Sequence, residues 1–146
     1  MRQSALVQIA PYSAATDSSQ AASWIEQAAK HVDDMNASVA KLRIMVALAN
    51  AYFVRGDEVR ALAMTDHALD LGEELYAQFM IANPGALSYS ADGFDELMDL
   101  VRNSLGRVKK PETMIARIGE VRQDVLKATL LTVAAEAWSQ RQSKSA

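Results

Sequence analysis

Apolar residues recur at spacings of three and four along almost the whole chain, and no stretch alternates convincingly with a period of two. That pattern lines one face of a 3.6-residue helix and gives a strand no apolar side to bury, so an all-α fold is expected. The stripe Ala21, Trp24, Ile25, Ala28, Ala29 and Val32 predicts a helix over about 21–32. Asp17, Ser18 or Ser19, at the end of a polar loop, caps it by accepting a backbone N–H. Beyond Asp33-Asp34-Met35-Asn36 a helix to about Arg55 turns Val39, Leu42, Met45, Val46, Ala49, Tyr52 and Phe53 inward. Gly56 suits a left-handed helix end and Asp57 a helix start, so two antiparallel helices should meet there. The next helix runs from Glu58 to about Ala82 with Ala61, Met64, Ala68, Leu71, Leu75, Phe79 and Met80 inward, and Asn83-Pro84-Gly85 stops it. A helix from Ser90 or Asp92 to about Leu105 follows, closed by Gly106. A short one begins at Pro111 and a last one spans about 121–140. With a short apolar segment at 2–12, about seven helical segments are expected.

The 146 residues suffice for one domain with a core that needs no disulfide or metal. Hydrophobic residues reach 50% but aromatics only 6%, which favours helices over strands. There is no cysteine, hence no disulfide, thiolate zinc site or cysteine nucleophile; a reducing cytoplasm fits this and is the expected compartment. A net charge of −3 disfavours nucleic acid as a partner, because phosphate recognition needs clustered Lys and Arg. No apolar run approaches the roughly 18 residues that span a bilayer, so no membrane partner is expected either.

Tyr12, Asp17, Ala21 and Ala28 are followed at a constant offset of 40 by Tyr52, Asp57, Ala61 and Ala68. Val39, Lys41, Ala51 and Tyr52 are matched at an offset of 86 by Val125, Lys127, Ala137 and Trp138. Such periods predict stacked two-helix units, roughly 1–34, 36–83 and 90–142, each leaving an apolar face that a neighbour covers. Ala61 and Ala68 on one face permit close helix approach, while Tyr52 fills space at the end of the partner helix.

These residues resemble the tetratricopeptide-like helical repeats. With Tyr52 on the family's aromatic position, Leu48 and Ala49 fall on its large-small pair, Gly56 on its turn glycine, and Ala61 and Ala68 on its second-helix alanines. About one motif is covered. Met45 stands where the family has tryptophan, Thr65 where it has a second aromatic, and Glu73 where it has the closing proline. The first copy has Thr16 in place of the turn glycine, and the spacing drifts between copies. The resemblance implies antiparallel helix pairs stacked as a short right-handed α-α superhelix, and protein or peptide binding in the groove of the first helices. Of that face only Asn50 matches the clamp for a C-terminal carboxylate.

His31 with Asp33 and Asp34, and His67 with Asp66 and Asp70, place imidazole beside carboxylate at helical spacing, the residue types a metal or general base uses. Neither follows a metal-ligand signature, and a solvated helix face accounts for both. Asp92, Asp95, Glu96 and Asp99 crowd a helix start, where the dipole favours negative charge. No cofactor or metal is expected. Charge is segregated: from Asp57 to Asp99 there are ten acidic residues against Arg60, and from Arg102 to Lys127 seven basic against three acidic. The two fields attract each other, or Arg102, Arg107, Lys109 and Lys110 face an acidic partner. Tyr76, Tyr89, Phe53 and Val54 are the candidates for an exposed apolar patch.

The leading expectation is therefore a non-enzymatic helical-repeat scaffold binding a protein or peptide through Arg43, Asn50, Phe53 and Val54. The alternatives are a segment of a longer solenoid or a homo-oligomer, and a metal-binding or enzymatic bundle using His31 and His67.

Overall fold

The computed structural model describes residues 18–82 and 94–145. Among them it forms six helices and no strand: α1 (Ser18–Asp33), α2 (Val39–Val54), α3 (Glu58–Ala82), α4 (Phe94–Arg107), α5 (Pro111–Gly119) and α6 (Asp124–Ser145). The expected segment at 2–12, with Tyr12, Asp17, Tyr89, Ser90 and Asp92, lies outside the described residues. None of the described helices is long and apolar enough to cross a membrane. The chain divides into two compact units, Met1–Ala68 and Leu69–Ala146, with the division inside α3.

In the first unit α1 packs on α2. Ala21, Ile25, Ala28 and Val32 of α1 are fully buried, on the stripe that the spacing predicts. Ser38 caps α2, its hydroxyl accepting the Lys41 N–H at 3.1 Å. The end of α2 is a complete Schellman turn. Gly56 has a φ of 80°, its N–H donates to Phe53 O at 3.0 Å, and the Asp57 N–H donates to Tyr52 O at 2.9 Å. The Asp57 carboxylate then accepts the Arg60 N–H at 3.2 Å and starts α3. One Gly-Asp pair thus ends one helix and opens the next. Across the unit, Arg60 bonds Glu26 of α1 at 2.7 Å.

α2 departs from the expected single stripe. Ile44, Leu48 and Ala51 are buried along with Leu42, Met45, Val46, Ala49, Tyr52 and Phe53, while Val39 is only half-buried. A helix apolar around most of its circumference is enclosed on most sides, and beyond its first turn only Arg43, Ala47, Asn50 and Val54 form an accessible stripe.

The second unit contains the latter part of α3 with α4, α5 and α6; α6 packs on both α4 and α5. The inward face of α3 is the expected one only in part: Ala61, Ala68 and Leu71 are buried as the spacing predicts. Thr65, Leu69, Gly72 and Tyr76 are buried, whereas Met64, Leu75, Phe79 and Met80 are half-buried. A Cβ at Gly72 would lie 2.6 Å from Leu97 Cδ2, so the Leu97 side chain of α4 lies directly against the α3 backbone there. One turn on, Tyr76 meets Phe94 edge to face at 5.7 Å. Since contacts move forward in α3 as they move back in α4, the two run antiparallel. Thr65, buried in the first unit, satisfies its hydroxyl by donating to Ala61 O at 2.7 Å.

Two measurements test this packing. Gly72→Ala should cost about 1–2 kcal/mol through overpacking, and Leu97→Ala about 2–4 kcal/mol through a cavity. The double variant should lose less than the sum, in denaturation followed by Trp138 fluorescence in a Trp24→Phe background; strict additivity would remove the Gly72 and Leu97 contact. Burial raises the Tyr52 hydroxyl above its ordinary pKa of 10.0, reinforced by Glu26, opposed by Arg60, then reinforced by Asp57 and Asp33. The unfolded chain therefore ionises first. Stability from this group is intact below about pH 10 and is lost as pH rises through the folded value. Tyr52→Phe should flatten the fall of Tm above pH 10; an unchanged slope contradicts the burial argument.

Candidate functional site

The expected binding residues do not form one exposed cluster. Arg43 is exposed, Asn50 half-buried and Val54 44% exposed, on the narrow stripe of α2. Phe53 is only 7% exposed: it follows the buried stripe of a helix covered on most sides, and so cannot serve as a surface anchor. Tyr76 is likewise buried, against Phe94. His31 and His67 are exposed, and no group of three or more His, Asp or Glu among the described residues is placed to hold a metal ion.

The opposed charge fields meet in part. Asp70 of α3 pairs with Arg117 of α5 at 2.5 Å, and Glu73 accepts the Arg122 N–H at 2.5 Å. These contacts tether the end of α5 to α3, beside an open notch lined by Asp70, Glu73, Glu74 and Arg122, so the acidic side chains there are already partly neutralised. A polar notch in the first unit is lined by a similar set of pairs, because Arg60 bonds Glu26 and Asp57 there. Satisfied ion pairs of this kind are modest surface stabilisers.

Two larger concavities lie side by side along α6. The first is an apolar groove of about 620 Å³, lined by Leu105 of α4, Pro111, Ile115 and Ala116 of α5, and Leu131, Ala134 and Trp138 of α6. Its only charged lining residue is Glu112. Short side chains make it: Ala116, Ala134 and Ala135 leave a trough that Ile115, 38% exposed, and Trp138 border. Pro111 starts α5 at the first turn, where its missing N–H costs nothing, and thereby fixes where that wall begins.

The second concavity, of about 580 Å³, is polar and basic. Arg102, Asn103 and Arg107 of α4 face Gln140, Arg141 and Lys144 of α6, and no acidic side chain lines it. Arg102 is partly offset by Asp99 at 2.5 Å. Arg141 is held firmly: Nη1 donates to Leu105 O at 2.9 Å and Val108 O at 2.7 Å. Its guanidinium carbon also lies 4.9 Å from the centre of the Trp138 ring. The guanidinium thus satisfies carbonyls at the end of α4, where the helix dipole favours a cation, and stacks on the wall of the adjoining groove. Arg107 and Lys144 have no bonding partner among the described residues, so their charge is available to a ligand.

Of the sequence-expected basic patch, Arg102 and Arg107 line this cleft; Lys109 and Lys110 are exposed on the link to α5 and do not. Arg141 and Lys144 were not anticipated, because they lie in a polar tail of α6 far from Arg102 in sequence. Helical spacing from Trp138, at i+3 and i+6, was the available signal.

The structural and available cations should separate on mutation. Arg141→Ala should cost about 1–2 kcal/mol by leaving two carbonyls without their charged donor. Arg107→Ala and Lys144→Ala should stay within about 0.5 kcal/mol of wild type. Equal losses at all three sites in urea denaturation would contradict this division of roles. Compared with known proteins, the chain matches no family model, no curated protein and no solved structure at a significant level.

Proposed function

We propose that this chain is a non-enzymatic helical scaffold that binds a segment of another polypeptide, and that the apolar groove between α5 and α6 is where the segment docks. The observation that carries the reading is the groove itself: an open apolar trough bordered by a partly exposed isoleucine and a tryptophan. Tryptophan offers large contact area at little entropic cost and is among the commonest anchors of protein interfaces. The α2 stripe is weaker in this respect, having Val54 as its one exposed large apolar residue. The lining of the groove, apolar apart from Glu112, presents none of the paired acid, base or nucleophile that catalysis requires.

The tetratricopeptide-like arrangement is part of the same proposal. It is supported by the Gly56 turn between α2 and α3 and by the complete burial of Ala61 and Ala68. Repeats of this kind present extended surfaces of packed helices, which suit binding of a chain segment better than of a small molecule.

A random peptide library displayed against the immobilised protein provides the test. Enriched peptides, synthesised and titrated against the Trp24→Phe variant, should shift the emission of Trp138 with micromolar Kd. Ile115→Asp and Ala135→Glu, at exposed positions, should abolish binding while leaving the helical circular-dichroism signal unchanged. Absence of any enriched peptide, or undiminished binding by both variants, refutes the groove.

A further inference from the structure

Resting on the groove reading above, we propose that the segment recognised is acidic and amphipathic: an apolar side chain enters the groove while carboxylates of the same segment enter the basic cleft beside it. The two concavities adjoin along α6. Ala137 belongs to the cleft and Trp138 to the groove, as do Gly106 and Leu105 on α4. Arg141, stacked on Trp138, forms the seam between them. Ala134 and Arg141 are seven residues apart on α6, which is about 10 Å along a helix axis. A bound segment that spans this distance meets an apolar trough at one end and four cationic side chains at the other.

Charge decides the sign of the partner. The chain carries a net −3, yet Arg102, Arg107, Arg141 and Lys144 are gathered in one cleft lined by no carboxylate. Arg141, held by carbonyls and by an aromatic face, fixes a positive charge at the seam, and Arg107 and Lys144, exposed on opposite walls, are the cations that carboxylates of a bound segment meet. Nucleic acid fits less well, because a phosphate backbone needs cations tracked along a stripe rather than gathered at one end of an apolar trough. An anionic bilayer also fits less well: the apolar element is concave, so it receives an anchor rather than inserting one.

Three synthetic peptides of about 16 residues test the proposal, with identical Leu and Phe positions at helical spacing and with Glu, Gln or Lys at the remaining sites. Anisotropy titrations at about 50 mM salt should show the Glu peptide binding about tenfold tighter than the Gln peptide, and the Lys peptide weakest. Raising salt to about 300 mM should weaken the Glu peptide several-fold and leave the Gln peptide nearly unchanged. The double variant R107E/K144E, which spares Arg141 and its carbonyl bonds, should reverse the order of Glu and Lys peptides. Equal affinities for all three, each abolished by Ile115→Asp, would overturn the charge preference and leave the groove standing. Binding of none of them would remove both readings. Tighter binding of a single-stranded oligonucleotide or of phosphatidylserine vesicles than of the Glu peptide, lost in R107E/K144E, would overturn the peptide as occupant.

Discussion

Close approach of helices through small side chains is the constraint on which both units depend. Ala21 and Ala28 on α1, Ala49 on α2 and Ala61 and Ala68 on α3 have no exposed surface, and a methyl group at Gly72 would require the Leu97 side chain to shift. Helix interiors filled with alanine gain little per residue from burial. They allow instead many backbone-proximal contacts at native packing density, with larger neighbours such as Ile25, Leu42 and Leu97 closing the gaps. The same economy shapes the surface. Where alanines face outward on α5 and α6, they leave the trough between Ile115 and Trp138.

α6 then carries two jobs on neighbouring faces. Leu126, Leu130, Val133 and Ala134 hold it in the core, and Trp138 with Arg141 shapes the surface beyond. Arg141 is bound into the structure by the carbonyls of Leu105 and Val108, which ties the geometry of the basic cleft to the integrity of the end of α4. Preorganisation of this kind lowers the entropic cost of receiving a ligand. Arg107 and Lys144, exposed on either wall, make no such bonds among the described residues.

Much of the fold was legible because its signals are local. The bounds of α3, the Gly56 turn, the Asp57 cap and the Pro111 start are each set by residues within a few positions of one another. The inward alanines were legible for the same reason, through spacing. Illegible features are those decided by distant neighbours. α2 has apolar residues on nearly every side, so periodicity alone could not show that Phe53 would be covered. Gly72 of α3 is buried against Leu97 of another helix, a neighbour that spacing within α3 does not name. The basic cleft joins Arg102 and Arg107 to Arg141 and Lys144 across a helix pair, a juxtaposition no window of sequence contains. The segregated charges were visible, but their partial mutual neutralisation through Asp70 and Arg117 is a tertiary fact.

The most direct test of the packing is the solvent exposure of the alanine methyl groups. With alanine-methyl labelling and a soluble paramagnetic agent, the resonances of Ala21, Ala28, Ala61, Ala68 and Ala134 should remain sharp. Those of Ala63, Ala82, Ala128 and Ala135, on exposed faces, should broaden strongly. Broadening of the first group to the level of the second would contradict the account.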